Sequence, residues 1–295
     1  MRSCQDPLGT GLKRTWSYNP PVPELPEVEV LRRSLAPHLL GREFCRLEVR
    51  NRALREPVRP ATLRRHLLGR RVVEVGRRAK YLLIGLERES TLVLHLGMSG
   101  RVVLTEAAAA AGDHEHLRFF LDDGRVLRFR DPRRFGLAFA LPTGRMARDR
   151  HFAALGPEPL DAAFDGATLE TAARRRHGPV KSFLMNAAVV VGVGNIYACE
   201  ALYRAGIHPR RSVARIAPAR WSQLAAAVRG VLFDAIGEGG TTLNDFADGE
   251  GRSGYFQVSL AVYGREDAPC RRCGRAIRRV VLAGRSTFYC PGCQR

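Results

Sequence analysis

The chain is 295 residues long and 45% hydrophobic, enough for two ordinary domains with separate cores, and it has no apolar run of membrane-spanning length. A formal net charge of +19 is too large for a merely soluble basic surface and implies a polyanionic partner, nucleic acid by default. Residues 1–22 hold Arg2, Lys13 and Arg14 without an apolar core, which argues against a secretory signal; seven cysteines, four gathered at the C-terminus, do not suggest a secreted disulfide framework and point to a reducing cytoplasm.

In chain order, residues 1–22 show no period and read as a disordered leader. Val28, Leu31, Leu35, Leu39 and Leu40 then recur at helical spacing and predict an amphipathic helix closed by Gly41. The short runs 71–75, 81–86, 91–96, 117–121 and 126–130, with turns such as Asp123-Gly124, predict a β-sandwich or barrel over about 43–141. Alanines 107–111 read as a loop insertion. A polar stretch near 143–152 marks a boundary, and helical patterns fill about 160–236. Residues 237–254 are rich in glycine and acid and read as a long mobile loop, a kind that is usually functional or disordered. The domains expected are therefore 23–145, 153–253 and 254–295.

Three of the 48 basic residues are lysines, Lys13, Lys80 and Lys181. Arginine serves wherever a generic positive charge would do, so a lysine marks a need for a tunable amine. At the C-terminus, Cys270 and Cys273 are separated by sixteen residues from Cys290 and Cys293. Two Cys-x-x-Cys knuckles at this distance place four thiolates around one structural Zn²⁺. Between them, 277–282 and 286–289 alternate about Ala283-Gly284 like a hairpin, with Arg285 beside its tip. That ribbon alone says nucleic-acid module.

Several further stretches appear in order: Pro23-Glu-Leu-Pro-Glu-Val-Glu29, Arg77-Arg-Ala-Lys-Tyr-Leu-Leu83, His95-Leu-Gly-Met-Ser-Gly100, Asp131-Pro-Arg-Arg-Phe-Gly136, Leu155-Gly-Pro-Glu-Pro-Leu160, Val191-Gly-Val-Gly-Asn-Ile-Tyr197, Gly239-Gly-Thr-Thr-Leu243, Gly254-Tyr-Phe-Gln257, Val262-Tyr-Gly-Arg265 and Gly284-Arg-Ser-Thr-Phe-Tyr-Cys290. Together they resemble the bacterial formamidopyrimidine-DNA glycosylase family, over Pro23 to the C-terminus. The resemblance implies an α+β architecture: an N-terminal β-sandwich with a leading helix, a helix–two-turns–helix domain and a zinc finger. It also implies a monomeric, bifunctional glycosylase and AP lyase of base excision repair, removing 8-oxoguanine and ring-opened purines from double-stranded DNA.

Residue by residue, the resemblance makes Pro23 the nucleophile, Glu24 the adjacent acid/base, and Lys80 and Arg285 helpers of elimination. Read without it, Pro23 to Glu29 is a proline-rich helix entry. Met98, Arg133 and Phe135 match the residues that fill the gap left by a flipped base; alone, Met98 and Phe135 read equally well as core. His114 and Arg176 match DNA-contacting positions, and His95 and Asn195 match backbone-phosphate contacts. The turn Gly192-Val-Gly194-Asn195 is expected to offer its amides to DNA phosphate, and Lys181 reads as a further phosphate contact. Glu200 matches a family carboxylate near the nucleophile, or is a helix-surface glutamate. His114-Glu115-His116 lacks a third partner and is rejected as a metal site. Asn186 stands where the family usually has aspartate, placing one polar contact in doubt.

As written, Pro23 is internal and its nitrogen is a tertiary amide without a nucleophilic lone pair. Val22 offers an explanation: a GTG codon reads as valine internally and as methionine at initiation. Residues 1–22 are therefore expected to be a start-site error, with removal of the initiator exposing Pro23. The competing readings are a relative of endonuclease VIII acting on oxidised pyrimidines, and a DNA-binding protein without catalysis. Leu25 together with Met98, Arg133 and Phe135 favours the purine enzyme.

Overall fold

Helix α1 (Leu25–Leu39) opens with Pro26 in its first turn, where a missing N–H costs nothing and a fixed φ favours the helix. Val28, Leu31, Leu35 and Leu39 are buried along one face, as their spacing predicts. Leu40 is not: it is 48% exposed, because the chain leaves the helix there and turns at Gly41 with φ +76°. The first turn also leaves the sandwich altogether. Leu25 is buried in the core of the helical body, while Val28 onward enters the sandwich core. One helix therefore pins two cores together. The computed structural model describes residues 23–110, 112–240 and 260–295; the leader and residues 241–254 of the expected loop lie outside the described residues.

The β region settles the sandwich-or-barrel alternative as a sandwich. Strands β1 (Phe44–Val49), β2 (Val72–Arg78), β3 (Tyr81–Leu86), β4 (Ser90–His95), β5 (Arg101–Glu106), β6 (Glu115–Leu121), β7 (Arg125–Arg130) and β8 (Leu137–Pro142) form two four-stranded antiparallel sheets. Their orders are β1-β6-β7-β5 and β2-β3-β4-β8. Both contribute to one core, with β3 alternating between buried and half-buried positions. β4 is buried on both faces, since Val93 turns away from that core onto Leu141 and Phe152. A short helix, α2 (Pro60–Leu67), covers β8 and β4 with Leu63 and Leu67. Two apolar residues among arginines gave it too little periodicity to be read from sequence. At the alanine run, the buried Arg128 donates to the carbonyls of Ala109 and Ala110 and pairs with Glu115, so a loop of small residues is held by a charge beneath it.

Beyond a 3₁₀ turn at Thr143–Arg148, helices α3 (Gly166–Ala173), α4 (Val180–Leu184), α5 (Asn195–Arg204) and α6 (Pro218–Gly237) enclose the second core. Strands β9 (Arg278–Leu282) and β10 (Arg285–Tyr289) close the chain as a hairpin. Its two-residue turn has Ala283 at φ +48° and Gly284 at φ +72°, the left-handed pair that matches strand twist. No helix among the described residues is long and apolar enough to cross a membrane.

Candidate active site

Pro23 is half-buried immediately ahead of α1, and Glu24 next to it is 1% exposed. The Leu25 amide donates to the Gly192 carbonyl at 3.1 Å, which seats the start of α1 against the turn before α5. The amides of Gly194 and Ile196 then donate to the Glu24 carboxylate at 2.6 and 2.9 Å. A Cβ on Gly194 would lie 2.3 Å from the Glu24 carboxyl carbon, so this approach requires glycine. The expectation that this turn serves a DNA phosphate is thus corrected: the anion at the N-terminus of α5 is Glu24, 170 residues away in the sequence.

Burial raises the pKa of Glu24, and this outweighs the lowering effects of Lys80 and of the Ile196 and Gly194 amides; Glu27 adds to the rise. Glu24 can therefore keep a proton where an ordinary glutamate has lost it. Its own N–H donates to Glu27 at 2.8 Å, and the other oxygen of Glu27 accepts the Tyr197 hydroxyl at 2.7 Å.

Lys80 is half-buried in the tight turn between β2 and β3 rather than within a strand, following Ala79 at φ +53°. The Ala79 amide donates to Glu158 at 2.6 Å, and Arg77 donates to the Ala79 carbonyl and to Glu158, both at 2.8 Å. Arg77 also reaches Glu29 at 3.3 Å. The turn carrying Lys80 is thereby tied to α1 and to the segment entering the helical body. Nothing in the sequence marked Arg77 or Glu158 for this task beyond their membership of motifs.

His95 ends β4, and its Nδ1 accepts the Gly97 amide at 3.0 Å. Burial, with Lys80 and Arg55 adding to it, pushes its pKa down to about 4. A neutral ring that accepts at Nδ1 carries its proton on Nε2.

Met98, half-buried, lies on the loop after β4; Arg133 and Phe135, both exposed, lie on the loop after β7. At 44% exposure Phe135 is no core residue, and the Arg133 guanidinium sits 5.2 Å from its ring. His114 is exposed at φ +56°, whereas Glu115 pairs with arginines and His116 bonds the Asp131 carbonyl. The rejected metal cluster is thus dispersed.

Asn195 begins α5 and donates to the Ser286 carbonyl at 3.0 Å. Lys181 bonds Asn195 and donates to Thr287 at 2.7 Å; it is a buried strut beneath the hairpin, so the reading of it as a phosphate contact is corrected. Burial lowers its pKa, with Cys199 acting against this and Arg285 adding to it. Arg285, exposed at the start of β10, accordingly lies within electrostatic range of Lys181, which in turn senses Glu24. Glu200 is neither surface residue nor partner of Pro23: its carboxylate accepts the amides of Ala261, Val262 and Tyr263 at 2.8, 2.9 and 2.8 Å, anchoring the chain as it enters the finger. Arg176 stands apart, exposed, 5.8 Å from the Phe183 ring. Asn186 accepts the Ala188 amide at 3.0 Å through its side-chain oxygen.

The sulfurs of Cys270, Cys273, Cys290 and Cys293 all lie within 4.8 Å of one another. Tetrahedral Zn–S bonds of ~2.3 Å place sulfurs ~3.8 Å apart, and the 270–293 and 273–290 pairs stand at 3.8 and 3.4 Å. Four thiols converging at this spacing fit one structural zinc ion.

Residues 22–138 match the formamidopyrimidine-DNA glycosylase N-terminal domain, 155–247 the H2TH domain of the same enzyme, and 268–295 the zinc finger found in FPG and IleRS. The formamidopyrimidine-DNA glycosylase of Halorhodospira halophila is 54% identical over 274 residues, covering 93% of this chain and all of the relative; that of Pseudomonas putida is 51% identical over 276 residues with the same coverage. The crystal structure of MutM (Fpg) from Thermus thermophilus superposes with TM-score 0.80 at 40% identity, covering 92% of this chain and 98% of that one. Lactococcus lactis Fpg in complex with an abasic site containing DNA superposes with TM-score 0.84 at 30% identity, over 92% and 99% of the two chains. By sequence, by domain order and by fold, the chain belongs to the formamidopyrimidine-DNA glycosylase family.

Proposed function

We propose that the protein is a bifunctional DNA glycosylase and AP lyase of base excision repair, removing 8-oxoguanine and formamidopyrimidines from double-stranded DNA. The observation that carries this reading is Glu24: a buried carboxyl with a raised pKa, beside Pro23 and facing the charge of Lys80. The lone pair of a free Pro23 amine attacks the sugar C1′, and the glycosidic bond breaks with its electrons leaving on the base, which takes up the proton that the Pro23 nitrogen releases. Glu24 gives its proton to the ring oxygen as the sugar opens, leaving an iminium between Pro23 and C1′. Loss of a C2′ proton expels the 3′ phosphate, and a second elimination expels the 5′ phosphate. Lys80 and Arg285 steady these phosphates, and the zinc ion, by fixing the hairpin, places Arg285. Met98, Arg133 and Phe135 occupy the gap, while His95, His114, Arg176 and Asn195 hold the backbone. The protein acts as a monomer in the cytoplasm, at the nucleoid.

This chemistry needs Pro23 as a secondary amine, so the active chain is the one that begins at Pro23. Borohydride trapping on an 8-oxoguanine:cytosine duplex tests both statements, using the full chain and a chain starting at Pro23. A covalent adduct with the shorter chain alone is the expected result. No adduct with either leaves a DNA-binding protein without catalysis and overturns the proposal. Faster reaction on an oxidised pyrimidine would transfer it to the endonuclease VIII class.

A further inference from the structure

The residues expected to fill the gap in the duplex come from two separate loops, and one side chain joins them. Asp131 is fully buried at the end of β7. Its Oδ1 accepts the Ser99 hydroxyl at 2.6 Å, and its Oδ2 accepts the Gly136 amide at 2.7 Å. Ser99 Oγ in turn accepts the Arg133 amide at 3.1 Å. The neighbours of these groups are Met98 on one loop and Arg133 and Phe135 on the other. The main chain of Asp131 extends the set: its N–H donates to the His114 carbonyl at 3.0 Å, and its carbonyl accepts from Arg134 at 3.2 Å and bonds His116 Nε2 at 2.8 Å.

Sterics lock the same junction. Gly97 has φ +61°, and a Cβ there would lie 2.4 Å from the Phe135 carbonyl carbon. A Cβ on Gly136 would lie 2.8 Å from the His95 carbonyl oxygen and 2.6 Å from the Phe129 ring. The loops touch backbone to backbone, with glycine at each point of contact. Exposed Phe135 and Arg133 have no core to hold them, so what fixes their direction is this buried junction.

We propose that Asp131 is a positioning residue that makes the Met98 loop and the Arg133–Phe135 loop a single rigid wedge, coupling base extrusion to gap filling. The proposal rests on the gap-filling role assigned above to Met98, Arg133 and Phe135. A wedge that must displace a stacked base gains from rigidity, because each ordered side chain would otherwise lose its freedom during insertion.

The test uses the zinc-loaded protein with a free Pro23 amine and the variants Ser99→Ala, Ser99→Thr, Asp131→Asn, Met98→Ala and Phe135→Ala. Extrusion is followed by the fluorescence of 2-aminopurine placed beside an 8-oxoguanine:cytosine pair, and strand cleavage on a duplex with a preformed abasic site, where no base is extruded. Ser99→Ala is expected to slow extrusion roughly tenfold and to leave abasic-site cleavage within about twofold of the parent, while Ser99→Thr, which keeps the hydroxyl, restores extrusion. Asp131→Asn is expected to be slower than Ser99→Ala, because Ser99 and Gly136 bond different carboxylate oxygens and asparagine puts an NH₂ donor in place of one of them. If Asp131→Asn fails to fold, the Ser99 pair decides alone. Equal slowing of extrusion and abasic-site cleavage by Ser99→Ala, or no slowing of extrusion, overturns the proposal. Unchanged extrusion by both Met98→Ala and Phe135→Ala would instead remove the gap-filling role itself; slowing by these with none by Ser99→Ala removes only the role of Asp131.

Discussion

Glu24 is a carboxyl on which several forces act in opposite directions, and their balance sets what it can do. Burial raises its pKa, and Lys80 is the strongest influence lowering it, ahead of the two amides at the start of α5. A step that needs protonated Glu24 should therefore persist above the ordinary glutamate range and decline as pH rises through the raised pKa. Removing Lys80 removes a lowering influence, so Lys80→Met should move that decline to higher pH while also slowing the reaction. The measurement is the pH profile of single-turnover iminium formation, read as the borohydride-trapped adduct, for parent and variant; a decline that stays put or moves to lower pH counts against the assignment. At this scale the sequence offered candidates and not their partners: Pro23, Glu24 and Lys80 stood out through their motifs. The partners of Glu24 were not, because an amide-rich turn suits any anion and the one it holds lies 170 residues away. Phe135 and Met98 could not be separated from core by type alone, since exposure is a property of the loop that carries them.

The elements were legible where their pattern arises from a single buried face. β3 alternates and α1 shows its stripe, so both could be placed. β4, covered on both sides, and α2, with two buried leucines, follow from tertiary neighbours that no local period encodes. The same holds for the ties between elements. On α1, Glu29 meets Arg32, Arg33 and Arg77, and although burial opposes it, these guanidinium groups hold its pKa down to about 2. The sign follows directly: a carboxyl with a depressed folded pKa adds stability that is fully present above its ordinary value near 4.5 and is lost as pH falls towards 2. Glu29→Gln should therefore lower the melting temperature at pH 7, and the gap between variant and parent should close progressively below about pH 4.5. Parallel melts from pH 7 to pH 2 check this; a gap that stays constant over that range would mean that the glutamine disturbs packing rather than charge. Because Arg77 also bonds Glu158 and the Ala79 carbonyl, the same variant should loosen the Lys80 turn, seen as faster amide exchange at Ala79.

Across the whole molecule, the three parts differ in what holds them. The sandwich and the helical body each have a continuous apolar core, joined by α1. The hairpin has none of comparable size. β9 is exposed or half-buried throughout, Val281 is 61% exposed, and the apolar cluster beneath includes two of the zinc ligands, Cys270 and Cys290. What holds it instead is the metal, the strut from Lys181 to Thr287 and Ser286, the Asn195 bond to the Ser286 carbonyl, and the packing of Phe288 and Tyr289 on their neighbours. Chelation of zinc should therefore melt the hairpin while the sandwich and helical body keep their shape, because metal binding in such a unit is its folding energy. Strand cleavage should be lost with it, since Arg285 is placed by β10 alone. The expected readings are protection from hydrogen exchange lost at 270–293, retained at β3, β4 and α5, and a main thermal transition moved by no more than about 4 °C. Lys181→Met gives the complementary case: zinc stays bound, yet β10 loses one of its ties to the helical body, so cleavage should fall while metal content stays at one ion per chain. If chelation instead lowers the main transition by much more than this, the finger is an integral part of the helical body, and Glu200, which grips 261–263, is the group through which the loss would travel.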